Sequence, residues 1–111
     1  MASSDETIYW DSLGQSLAPT TAYRVNLPVG TTEWAVYNTS AGSIGVAGTA
    51  ATIAVPANTI VIPTGQPPVT GKGQSLFVGN GTGGALTIVV RWSRQGRQPA
   101  NNAGTASFTA L

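Results

Sequence analysis

The chain contains neither histidine nor cysteine, and charge is scarce: five Lys and Arg, four Asp and Glu, 8% of 111 residues and a formal net charge of +1. An ordinary soluble domain is about a quarter charged. Without cysteine there is no disulfide, no thiolate metal site and no thiol nucleophile. Without histidine, the usual general base near neutral pH is missing. Three of the four acids, Asp5, Glu6 and Asp11, precede Ser12 and the fourth is Glu33. A carboxylate pair for glycoside hydrolysis would need that segment together with Glu33, and solvated charges are the simpler reading. Asp5, Glu6 and Asp11 lack the regular spacing and turn glycine of a calcium loop. Lys72 sits between two glycines with no phosphate-loop context, and GNGTGG lacks the Gly-Lys-Ser/Thr that would make it a phosphate cradle. The expectation is a protein that is not an enzyme and uses no cofactor or metal. A net charge near zero argues against nucleic acid as a partner. No apolar run approaches the roughly 18 residues that span a bilayer, and MASSDETIYWDS has neither the basic nor the apolar region of a secretory signal.

What remains is a chain cut into short pieces by 14 glycines and 7 prolines. No long segment carries apolar residues at helical spacing, whereas β-branched and aromatic residues fill the intervals between turn signals. A short strand is expected around Ile8 to Trp10. AYRVNL alternates, with Tyr23, Val25 and Leu27 on one face and Ala22, Arg24 and Asn26 on the other. In EWAVYNTS, Trp34 and Val36 share a face. SIGVA, ATIAVPA, TIVIP, SLFVGN, LTIVVRWS and a terminal ASFTAL supply further strands. TGQPPVTGKG reads as a loop, because Pro67 and Pro68 donate no ladder hydrogen bonds. GNGTGG reads as a Gly-rich hairpin connection. Short strands at this spacing predict an all-β fold, an antiparallel β-sandwich or small jelly roll with extended N- and C-terminal segments. The expected organisation is an extended arm over 1–20, a β-sandwich domain over 21–94, and a spacer with a terminal strand over 95–111.

From Trp34 to Gly71, about a third of the chain, there is no charged residue. Outer strand faces can be solvated by Thr and Ser, but charges also guard strand edges against unwanted pairing. A chain that gives up that protection is expected to work among close neighbours, as a homo-oligomer.

The candidate contact residues follow from this. Tyr9 and Trp10 form an aromatic anchor near the start that can dock on the chain's own sandwich or on a partner. Arg91, Arg94 and Arg97 make the basic group RWSRQGR; alternation aims Trp92 inward and Arg91 outward, with Arg94 and Arg97 in the exit loop. Two further basic residues, Arg24 and Lys72, are too few for a nucleic-acid surface. The acidic start and basic end suit either pairing within the chain or head-to-tail contact between subunits. Phe108, in ASFTAL, belongs to a strand that completes its own sheet or adds to a neighbour's edge. Asn38-Thr39-Ser40 and Asn80-Gly81-Thr82 match the glycosylation pattern but read as turn chemistry.

The middle of the chain, over roughly residues 34 to 93, resembles a recurrent bacteriophage virion module. The resemblance rests on VYNTSAGSIGVAGTAATIAVPANTIVIPTGQ followed by GQSLFVGNGTGGALTIVVRWS. It carries over no catalytic residues. It implies a structural virion protein made in the host cytoplasm, a decoration or cement protein that binds the major capsid protein or another virion protein. Closed oligomers such as trimers suit the three-fold positions of a shell. The alternative is a fibre or tail module that recognises a host glycan through aromatic platforms such as Trp34, Tyr37 or Trp92. A self-assembling surface or filament subunit shares the low charge without the virion context.

Overall fold

Alternation of apolar and polar residues, with turn signals every few positions, leaves sheet-on-sheet packing as the way to bury one face of each strand. The computed structural model describes residues 6–40, 42–47, 60–62, 68–97 and 104–111. The described residues form nine strands and no helix: β1 (Glu6–Leu17), β2 (Thr21–Asn26), β3 (Thr31–Asn38), β4 (Ile44–Ala47), β5 (Ile60–Ile62), β6 (Val69–Lys72), β7 (Phe77–Asn80), β8 (Leu86–Arg97) and β9 (Ser107–Ala110). They make two antiparallel sheets, a first in the order β1-β8-β3-β6 and a second in the order β5-β4-β7-β2-β9. The expected β-sandwich is the architecture found.

The core lies between the sheets. Val36, Ile44, Val78, Ile88, Val90 and Leu17 are fully buried, and Trp34 and Trp92 sit opposite one another on adjacent strands of the first sheet. Each such side chain contributes about 1.5–3 kcal/mol when removed from water. The alternation expected in β2 holds: Tyr23, Val25 and Leu27 are buried while Arg24 is exposed. The Tyr23 hydroxyl accepts a hydrogen bond from the Ala18 N–H at 2.8 Å, fixing the passage from β1 to β2.

Four expectations are corrected. The strand around Ile8 to Trp10 extends over all of β1, because its whole length pairs with β8 in unbroken register from Glu6 opposite Arg97 to Leu17 opposite Leu86. Part of the TGQPPVTGKG loop is strand β6: Pro68 lies just before it, and the strand is an edge, so the missing donor costs no ladder bond. GNGTGG is not a hairpin, since β7 belongs to the second sheet and β8 to the first. Arg94 and Arg97 are not in an exit loop but in β8. The proposed strand ATIAVPA lies outside the described residues. ASFTAL completes its own sheet, β9 pairing with β2 from Tyr23 opposite Ala110 to Asn26 opposite Ser107.

The crossing from β7 to β8 has a counterpart. EWAVYNTSAGSIGVA and SLFVGNGTGGALTIV share an apolar strand, an asparagine, a hydroxyl residue two positions on, a glycine two further on, and a second apolar strand. The hydrogen bonds match as well. Asn38 Nδ2 donates to the Gly42 carbonyl at 2.6 Å, and its Oδ1 accepts from Ser40 N at 2.9 Å and Ser40 Oγ at 2.7 Å. Asn80 Nδ2 donates to the Gly84 carbonyl at 2.8 Å, and its Oδ1 accepts from Thr82 N at 2.9 Å and Thr82 Oγ1 at 2.6 Å. Both glycosylation-like triplets are therefore Asn-centred turns. The first carries the chain from the first sheet to the second, and the other carries it back. Exchanging β3 with β7 and β4 with β8 maps β1-β8-β3-β6 onto β5-β4-β7-β2, leaving β9 without a counterpart. The two sheets thus repeat one pattern of strand neighbours.

Asn80 is fully buried and also donates to the Leu17 carbonyl at 3.1 Å, whereas Asn38 is half-buried. Asn80→Ala strands the buried Leu17 carbonyl along with the part-buried turn bonds and is expected to destabilise the fold by roughly 2–3 kcal/mol in urea denaturation, against about 1 kcal/mol for Asn38→Ala.

Candidate partner-binding surface

In β8, alternation sends Val90 and Trp92 into the core and Arg91 and Ser93 to the outer face of the first sheet. Register then fixes their neighbours. Trp10 lies opposite Ser93 and Ser12 opposite Arg91 on one side. Glu33 lies opposite Ser93 and Ala35 opposite Arg91 on the other, and Lys72 and Thr70 of β6 continue the two rows. The Arg91 guanidinium sits 4.9 Å from the centre of the Trp10 ring, a cation–π stack on a surface where Trp10 is 45% exposed. Ile8, two residues earlier on the same face, is 60% exposed. Ser93 is buried on this outer side because the chain bulges between Thr31 and Glu33, bringing the Thr32 hydroxyl within 3.2 Å of the Ser93 carbonyl and 3.1 Å of its hydroxyl.

Tyr9 and Arg94 occupy the opposite face of the same strand pair. They face one another across β1 and β8, and Tyr9 packs against the core. Arg94 passes over Gly30, whose φ of 91° and bare Cα admit the arginine stem; a Cβ there would come within 3.1 Å of Arg94 Cδ. Its Nη1 reaches the Val29 carbonyl at 3.4 Å. These two residues close one end of the sandwich. Arg97 ends β8 at the register position of Glu6. Phe108 lies in the second sheet, its ring edge-on to Tyr23 with centroids 6.2 Å apart. Five of the six candidate residues therefore gather on one strand pair, divided between its two faces, and the sixth packs against a different part of the core.

The residues the sequence reading passed over are Ile8 and the Glu33–Lys72 register pair. Period-two spacing from Trp10 identifies Ile8; nothing short of the β3–β6 register identifies the pair.

Among the described residues two open clefts lie elsewhere. One of about 360 Å³ runs between Arg24–Leu27 and residues 74–77, where the Arg24 guanidinium stands 5.6 Å over the Phe77 ring. The other, about 310 Å³, is bounded by Trp34, β4 and β6 and contains Lys72. Among the described residues no group of three or more metal-ligating side chains comes together, and no helix is long and apolar enough to cross a membrane. Comparison with protein-family models, curated proteins and solved structures finds no match.

Of the three tryptophans, Trp34 and Trp92 are buried and only Trp10 meets solvent. Iodide is expected to quench one component of the fluorescence, and Trp10→Phe is expected to abolish that component while leaving the melting temperature nearly unchanged. Gly71 is covered by the Trp34 indole, whose Cζ2 would lie only 2.2 Å from an added Cβ. Gly71→Ala is accordingly expected to cost about 1–3 kcal/mol of stability, read by denaturant titration.

Proposed function

We propose that this chain is a structural protein of a bacteriophage particle, a decoration protein that binds the outer shell of the major capsid protein and stabilises it. The observation that carries this reading is the outer face of the first sheet, where the Trp10–Arg91 stack and Ile8 present partly exposed aromatic and aliphatic surface. Tryptophan and arginine are the residues that most often anchor protein interfaces. A small tile that binds an expanded shell better than an unexpanded one stabilises the expanded state by mass action. Contact through largely neutral surface is also expected to tolerate salt.

A glycan-recognising fibre or tail module needs exposed rings for sugar stacking. Trp34 and Trp92 are 5% and 2% exposed, so that reading would rest on Tyr37 and Trp10.

Sedimentation with expanded and unexpanded phage capsids tests the proposal. Retention on expanded shells only, little affected by raising salt and lost in Trp10→Ala, is the expected outcome. Failure to bind either shell, together with retention on a glycan array, would overturn it.

A further inference from the structure

Strand β1 lies at the margin of the first sheet, and among the described residues no strand pairs with it on the side away from β8. Sheets usually blunt such margins with proline, lysine or a bulge. Strand β1, ETIYWDSLGQSL, has no proline and no lysine, and its pairing with β8 runs without a register shift.

Its outward backbone groups can be identified. Ser12 N–H is taken by Asp11 Oδ1 at 2.8 Å, and the Ser16 carbonyl accepts from Gln15 Nε2 at 3.1 Å. The Thr87 carbonyl, opposite Ser16, accepts from Thr39 N on the β3 side at 3.3 Å. In an antiparallel ladder the N–H and C=O of one residue point to the same side, and successive residues alternate. The even-numbered residues of β1 therefore turn their backbone groups outward, and their side chains lie on the outer face with Trp10.

We infer that this margin pairs with the same strand of a second copy, antiparallel about a two-fold axis at Ser12, laying Trp10 of each chain across Gly14 of the other. Only two axes join outward groups to outward groups over nearly the whole strand, one at Asp11 and one at Ser12. The first sets Asp11 beside its own copy in the close, non-hydrogen-bonded type of pair, where like charges repel. The second sets Asp11 across from Leu13 and Ile8 across from Ser16. It also sets Trp10 across from Gly14, which has only the Ile88 carbonyl within 4 Å of a notional Cβ. The same sheet already uses this arrangement internally, where Trp34 lies over Gly71 on the neighbouring strand. Asp11 and Gln15, which occupy outward groups in the single chain, must release them, so pairing is concentration-dependent and Asp11 restrains it. The inference concerns the isolated protein and stands apart from the capsid reading.

Sedimentation velocity over a concentration series is the test. The expected result is a monomer–dimer equilibrium, weakened about tenfold by Trp10→Ala and tightened about threefold by Asp11→Ala. Ser12→Pro removes only an outward donor and is expected to give a monomer that melts like the parent protein. The absence of cysteine allows one introduced thiol to report register: residues facing each other in a hydrogen-bonded pair have Cα atoms about 5.5 Å apart, within disulfide reach. Ser12→Cys should cross-link to its copy under mild oxidation, and Ile8→Cys should not. A protein that stays monomeric even as Asp11→Ala, a dimer indifferent to Ser12→Pro, or cross-linking that favours Ile8→Cys would each overturn the inference.

Discussion

A carboxamide with no access to solvent, that of Asn80, holds the point at which three segments meet. It ties the end of β1 to the turn between β7 and β8 through the Leu17 and Gly84 carbonyls, and its oxygen gathers the Thr82 amide and hydroxyl. A buried polar group is tolerated only when its hydrogen-bonding capacity is filled, and here every part of the amide is used. Because the turn is closed by a side chain, the strands on either side need not pair with each other. They part and enter different sheets. Asn38 does the same for β3 and β4, and Gly42 in that turn lies against Leu86 at the start of β8. The facing of the two sheets, and so the core between them, depends on these two turns.

Scarcity of charge takes on a spatial meaning in this frame. The uncharged stretch from Trp34 to Gly71 is bounded in sequence by Glu33 and Lys72. Those two residues are direct neighbours across β3 and β6. The stretch thus begins and ends on adjoining strands of the first sheet, with its flanking acidic and basic residues at facing register positions. With charge so scarce, most of the surface is left to hydroxyl, amide and apolar groups.

Strand content was legible because period-two alternation is a local property. Tyr23, Val25 and Leu27, or Val90 and Trp92, show their buried faces in any short window. Topology was not legible, for a physical reason. Among the described residues only β4 and β5 are both consecutive in sequence and paired in space; the other described pairs are brought together by the core rather than by a turn. GNGTGG has the composition of a hairpin loop, and what sends it across the sandwich is the burial of Asn80, which composition does not disclose. Strand β6 was hidden by the two prolines that precede it in sequence, and Gly71 within it is needed because the Trp34 ring occupies the place of a side chain. The candidate surface was half legible. Trp10 and Arg91 were chosen for chemical type, and the register stacked them; Arg94 is of the same type, yet strand parity turns it inward over Gly30.

The pairing of β1 with β8 joins Glu6 to Arg97. A ribosome makes the first of these strands long before the second, so β1 lacks its partner until β8 has been made. The first sheet closes only once β8, up to Arg97, has emerged. Folding dominated by such distant pairings is slow, on the order of milliseconds to seconds, and nascent copies on one message spend that interval carrying the same unpaired strand.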